Sequence, residues 1–474
     1  MENRERRFRK VLNAGDVLVT AFGAMIGWGW VVSSGGWIAE AGVLGTVLGF
    51  LIGGLMIYFV GLVYAELTTA IPASGGPMLF SREAFGPAAS YACNWSIILS
   101  YVGVVCFEAC SLPTILQYVF PGFLKGYLYS VAGFDIYLSW LITAIASAVA
   151  ITAINMRGIK AAAILQKTLT IAIAIVGILL TAASAVNGDA ENLRDNFFNA
   201  AGMSSSLRNM LAIAVVAPFF LFGFDVIPQV AEEINVPLKK LGSLLVGSIA
   251  LAVAFYGLIV IAVGYGMSPA EIQGSMSASG LVPADAMAKL FGSPAMAKVL
   301  IMSGLCGIVT SWNSFLIGGS RALCSMAEFH MLPKAFSRVH PRHRTPTFAI
   351  LMIGVLSVAS VFCGRVMLVW ISNCASFACC LAYCIVALSF LRLRKKSPQL
   401  ERPFRVKHPR AVGTLAAALS AMLCILYLLP KSSSALSPQE LAIVAGWILL
   451  GVVLAILSRH RYGRKFGAPE AGNF

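Results

Sequence analysis

Two glycine-interrupted apolar runs hold the residues with the most chemistry to offer. The first is Gly23-Ala24-Met25-Ile26-Gly27-Trp28-Gly29-Trp30, and the second is Phe219-Phe220-Leu221-Phe222-Gly223-Phe224-Asp225-Val226-Ile227-Pro228. Glycine costs about 1 kcal/mol in a helix interior, and Pro228 has no backbone N–H to donate. A helix broken at such a point exposes backbone groups that an intact helix hides. Half-helix N-termini carry partial positive charge and free N–H groups, which suit a carboxylate. Carbonyls freed at half-helix C-termini suit an ammonium or Na⁺. An α-amino acid carries a carboxylate and an ammonium on one carbon, so a pair of breaks matches its backbone whatever its side chain. Close helix packing is the other use to which Gly27 and Gly29 can be put.

Two acids, Glu108 and Asp225, fall inside apolar stretches. An acid within a membrane span costs a few kcal/mol and is a functional candidate by default. No Lys or Arg of the central spans is an obvious partner for either. Each could attract a cationic amine, carry a proton or sit neutral. Low polarity favours the protonated form at Glu108. For Asp225 the alternative is structural, as a cap on the half-helix that follows it.

These residues require a membrane to hold them. Of 474 residues, 58% are hydrophobic and 12% charged, against about 25% charged in an ordinary soluble domain. Apolar stretches of spanning length lie near 16–39, 43–69, 88–118, 135–155, 162–186, 208–231, 242–266, 296–322, 346–364, 367–391, 411–430 and 438–458. A bilayer core needs roughly 20 such residues in a helix, and a helix satisfies each backbone group within its own segment. The expected fold is therefore an all-α polytopic membrane protein of about twelve spans. The alternating pattern of a membrane β-barrel is absent.

The net charge of +15 does not indicate nucleic acid. With the N-terminus inside, about 28 of the 35 Lys and Arg fall in cytoplasmic segments, the bias that orients membrane proteins. Arg4, Arg6, Arg7, Arg9 and Lys10 precede span 1, and a second cluster from Arg392 to Arg410 separates spans 10 and 11. Both termini are expected in the cytoplasm and the protein in the inner, or plasma, membrane, with span 1 retained as an anchor. The eleven cysteines sit in or beside apolar spans without zinc-ligand spacing. All five histidines lie in segments expected to be cytoplasmic, which argues against an intramembrane enzyme. No phosphate loop is present, so uphill transport would need an ion or exchange gradient.

The breaks stand about 196 residues apart, each in the first helix of a five-helix set. Five is odd, so the second set starts from the opposite membrane face, the layout of an inverted repeat. One transport domain over 1–474 is expected: a tail 1–15, repeats 16–186 and 208–391, two further helices within 411–458, and a tail 459–474.

The run from Gly23 to Gly29 resembles the G-x-I-I-G-[ST]-G-I-F signature of the amino acid–polyamine–organocation permeases. Glu66 to Gly76 with Arg82 to Pro87, Gly223-Phe224-Asp225 with Glu232 to Pro237, Ser320-Arg321-Ala322-Leu323, and Arg402-Pro403-Phe404 are similar to that family's loops, in family order and spacing. The resemblance implies a five-plus-five inverted-repeat core with spans 1 and 6 broken, plus spans 11 and 12, working by alternating access. It implies a substrate carboxylate at the N–H groups of Trp28 and Gly29, with Gly27 giving backbone access. It implies a substrate ammonium at the carbonyls of Met25, Phe219 and Phe222, and Phe219 or Phe224 closing over the substrate. It also suggests a sodium site between the carbonyls of Gly23 and Ile26 and the hydroxyls of Thr310, Ser311 and Ser314. Two positions depart from the pattern. Trp28 stands where the family has Ser or Thr, and Ile173 stands where proton-coupled relatives carry a lysine, with Lys167 nearer the cytoplasmic end. No cofactor is expected beyond H⁺ or Na⁺ as coupling ion. The partners are an amino acid substrate and the lipid bilayer; a polyamine or amino alcohol is the alternative substrate, and a transporter-like nutrient sensor the more distant one.

Overall fold

The computed structural model describes residues 10–120, 122–198, 203–430, 432 and 434–469. Arg4, Arg6, Arg7 and Arg9, counted above toward the basic N-terminal tail, lie outside these residues. Among those described, nine helices are long and apolar enough to cross a bilayer, and three shorter apolar helices join them: Ala14–Met25, Ser205–Phe220 and Thr347–Val361. The first two are short because they belong to the glycine-interrupted spans.

Span 1 begins at Ala14 under a capping box made by Asn13 and Asp16 and stops at Met25. It resumes as Gly29–Val32 and runs on into Ser34–Ala70 as far as Gly42, where a φ of 72° turns the chain into span 2. Span 6 stops at Phe220. Its second half was expected to stay helical to about residue 231. Instead it is one α-turn, Val226–Gln229, followed by a 3₁₀ turn, Ala231–Glu233, with Val230 leaving helical geometry between them at φ −108° and ψ 18°.

The remaining spans are Pro87–Val119, Leu138–Met156, Ile159–Asn187, Leu238–Gly266, Pro294–Glu328, Thr347–Val361, Met367–Lys396, Pro409–Leu428 and Pro438–Tyr462. They follow as spans 3, 4, 5 and 7 to 12. Span 4 starts at Leu138 rather than near 135, since Tyr127–Val131 and Phe134–Tyr137 pair as a short antiparallel hairpin. Two helices, Pro269–Ala278 and Val282–Phe291, occupy the segment between spans 7 and 8.

Burial sorts the spans by depth. In span 8, 83% of the apolar window is buried, against 17% in span 12. Span 12 turns Ile448, Leu449 and Ile456 outward, and span 5 does the same with Ile178. An apolar exterior this continuous suits lipid, not water. All eleven cysteines lie among the described residues, and none is in a disulfide.

Both ends of the described chain meet at one end of the bundle. Leu12 pairs with Ile234 as an isolated bridge, and Gly467 donates its N–H to the Phe329 carbonyl. The same end holds two sets of charges. Arg321 and Glu233, each 1% exposed, pair at 2.9 Å. Glu66 takes Arg394, Arg402 at 3.1 Å and the Val406 N–H. Of Glu66, Glu232 and Glu233, Glu233 is the one that pairs with Arg321 among the described residues. The segment after span 10 folds back over the end of span 2 and brings Arg402 to Glu66. Arg82 pairs with its neighbour Glu83, and Glu232 accepts from the Ser74 N–H.

Candidate functional site

The break in span 1 runs from Ile26, which leaves helical geometry with ψ at 75°, to Gly29. Among the described residues, the N–H groups of Gly27, Trp28 and Gly29 make no hydrogen bond to protein. Four glycines at the two breaks meet four different neighbours. A Cβ on Gly27 would lie 3.3 Å from Glu108 Oε1, so this glycine opens onto the carboxyl group. A Cβ on Gly29 would lie 2.2 Å from the Phe220 ring, so the ring rests directly on the backbone. Gly23 lies against Thr170 and Gln166 of span 5. Gly223, with φ at 130°, lies against Ala24 where the two breaks cross. Packing is therefore the use of Gly23 and Gly29.

In span 6, the carbonyls of Phe219 and Phe222 accept no hydrogen bond among the described residues, whereas Met25 O accepts one from the Tyr256 hydroxyl at 3.2 Å. Asp225 precedes the one-turn helix but does not cap it with its side chain. It turns back instead, Oδ1 accepting from the Gly223 N–H at 3.1 Å and Oδ2 from the Tyr101 hydroxyl at 2.7 Å. The capping role read from the sequence is thus replaced by a clamp that fixes the break from behind. A buried carboxylate is tolerable there because two donors reach it.

Between the breaks lies a cavity of ≈ 180 Å³. Met25, Gly27, Trp28 and Gly29 line it from span 1, Phe219, Phe220 and Phe222 from span 6, and Phe107 with Glu108 from span 3. Tyr256, Ser311, Phe315, Ser372 and Ala375 also line it. Glu108 is 3% exposed, and its Oε2 has no hydrogen-bond partner among the described residues. Trp28 packs against span 8 in a notch left by Gly304, whose Cβ would meet the ring. Trp30 faces away and meets Phe255 edge-on at 5.5 Å. Phe224 also lies outside the wall, fully buried against Tyr64 and Tyr383; of the two aromatics expected to close over a substrate, only Phe219 is at the cavity. Asp225 is likewise behind the wall.

The residues grouped as a sodium site are dispersed in their bonding. Thr310 donates to Gly307 O in its own helix at 3.0 Å, Ser314 to Thr20 O at 3.4 Å, and Ser311 faces the cavity. Ile26 O and Gly27 O lie against Gly307, where a Cβ would be 3.0 and 2.5 Å away. Gln166 and Thr170 of span 5 lie against Gly23 of span 1, Ile173 is fully buried, and Lys167 is exposed.

Sequence reasoning missed Tyr256, Phe220 and Phe107. Phe107 was adjacent to a marked residue, and Gly304 and Gly307 formed a small-residue stripe that signalled close approach in span 8. Tyr256 left no sign, being one aromatic in an apolar helix.

The amino acid permease family matches residues 16–469. A branched-chain amino acid permease of Bacillus subtilis is 25% identical, over 97% of this chain and 94% of the relative. A methylthioribose transporter of the same organism is 24% identical, over 98% and 95%. The vacuolar cationic amino acid transporter 8 of Arabidopsis thaliana is 26% identical, over 98% and 76%. These relatives are transporters, not enzymes. With the match running from the start of span 1 to beyond span 12, and with spans 1 and 6 both broken around one cavity, the chain belongs to the amino acid permease family.

Proposed function

We propose that this permease moves neutral α-amino acids by alternating access, as a secondary transporter driven by an ion or exchange gradient. The observation that carries this reading is the pairing of three free N–H groups at the span 1 break with free carbonyls at the span 6 break, across one cavity. The carboxylate would accept from Trp28 and Gly29, and the ammonium would donate to Phe219 and Phe222, with Met25 O shared with Tyr256. The side chain would then face Phe107, Phe315 and Ala375, an apolar wall that favours an aliphatic substrate. The branched-chain relative fits this preference. Glu108 and Asp225 are the candidates for proton coupling, and Gly23, Ile26, Thr310, Ser311 and Ser314 those for Na⁺. The end of the bundle that holds both ends of the described chain also collects most of the described Lys and Arg, so we place it in the cytoplasm.

A second reading, transport of an amine without a carboxylate, is favoured by one observation: among the described residues the cavity is lined by one acid, Glu108, and no base. A ligand-stabilisation screen separates the two. L-leucine should raise the unfolding temperature, while isopentylamine, its decarboxylated analogue, should not. Equal stabilisation by the amine would favour the second reading, and stabilisation by neither would count against both.

A further inference from the structure

The Glu108 carboxyl group stands over the gap in span 1, not at the far wall of the cavity. Its Oε1 lies 3.3 Å from where a Gly27 Cβ would be, its Oε2 is unpartnered, and the Ser311 side chain is beside it. The N–H groups of Gly27, Trp28 and Gly29 are the donors of the same gap. If an amino acid places its carboxylate on these donors, as proposed above, that carboxylate comes against Glu108.

Two carboxylates cannot both stay ionised at such a distance in an apolar enclosure without a cation between them. The surrounding elements provide none. Span 7 offers the Tyr256 hydroxyl, already donated to Met25 O. Span 8 offers Ser311 and span 10 Ser372. Span 6 offers no ionisable side chain at the wall, because Asp225 is turned away onto Tyr101 and Gly223. Among the described residues, no Lys, Arg or His lines the cavity.

We propose that each amino acid enters this site together with one proton, held on Glu108 between the two carboxyl groups. The step is a protonation: Glu108 carboxylate plus a proton from the outer solution gives the acid, whose O–H donates to the substrate carboxylate. After the cavity opens inward the substrate leaves, and the acid returns its proton to the cytoplasm. The site then couples substrate to proton through direct contact, with no ion bound elsewhere.

The inference rests on the amino acid reading, and the test keeps the two apart. Purified full-length protein is titrated with L-leucine in weakly buffered solution containing a pH indicator, over a pH series extending above neutrality but kept below the range in which the leucine ammonium itself deprotonates. On the alkaline limb, wild type should take up close to one proton per leucine bound, and its affinity should fall by about tenfold per pH unit. Glu108→Gln should bind L-leucine with no proton uptake and should lack that steep loss of affinity. Should Glu108→Gln fail to fold, wild-type stoichiometry alone decides. Leucine binding with no proton uptake by wild type anywhere in the series would overturn the inference and leave the amino acid reading standing. An absence of binding by leucine and every other amino acid tried would overturn both.

Discussion

Gly27 stands where any side chain would enter the space between the span 1 backbone and the Glu108 carboxyl group. Gly27→Leu should therefore abolish L-leucine binding while leaving the thermal unfolding transition cooperative; wild-type affinity in this variant would mean that the site lies elsewhere. Tyr101 acts on the other break. Its hydroxyl is one of two donors holding the buried Asp225 carboxylate, so Tyr101→Phe should lower stability by about 1–3 kcal/mol. Its effect on leucine affinity should be small, since neither residue lines the cavity. A thermal-shift curve read beside a binding isotherm checks both halves. At this scale the sequence was partly legible. Glycine and proline act on their own backbone, so the positions of the breaks could be read directly. The directions of Phe224 and Asp225 could not, because they depend on Tyr64, Tyr101 and Tyr383 arriving from other spans.

The helices divide into a buried centre and a lipid-facing rim, and their ends are tied by charge. Glu233, in the turn after span 6, and Arg321, in span 8, form an ion pair shut off from solvent. Removing one member strands the other: Arg321→Ala should cost about 3–5 kcal/mol, and the double replacement Glu233→Leu with Arg321→Leu should cost less than that single change. Unfolding in detergent would measure this, and equal losses would show that the pair is not the source of the effect. Between spans 1 and 8, the notch at Gly304 receives the Trp28 ring. Gly304→Leu should displace that ring toward the cavity and weaken leucine binding. Element positions followed from apolar length, which lipid imposes on any span. Three things lay beyond that rule. The hairpin Tyr127–Tyr137 alternates over too few residues to stand out, the second half of span 6 is one turn, and the partner of Glu66 arrives from a distant loop.

For the whole molecule, the grouping of both ends of the described chain and the basic clusters at one end of the bundle sets an expected orientation. In a cysteine-free background, a cysteine at Ser130 in the hairpin should react with an impermeant maleimide from outside the cell, and one at Gln399 only after permeabilisation. The reverse labelling would invert the orientation. Fold class was legible from composition and span count because lipid constrains a chain so strongly. The cavity was legible only as two breaks that ought to meet; its aromatic walls and the place of Glu108 within it emerge from packing. The most direct measurement is counterflow. Liposomes carrying the purified protein and loaded with unlabelled L-leucine should accumulate radiolabelled L-leucine from outside, and liposomes carrying Gly27→Leu should not. Counterflow by the variant equal to that of wild type, or none by wild type with any amino acid, would contradict a substrate site at the crossing of the two broken spans.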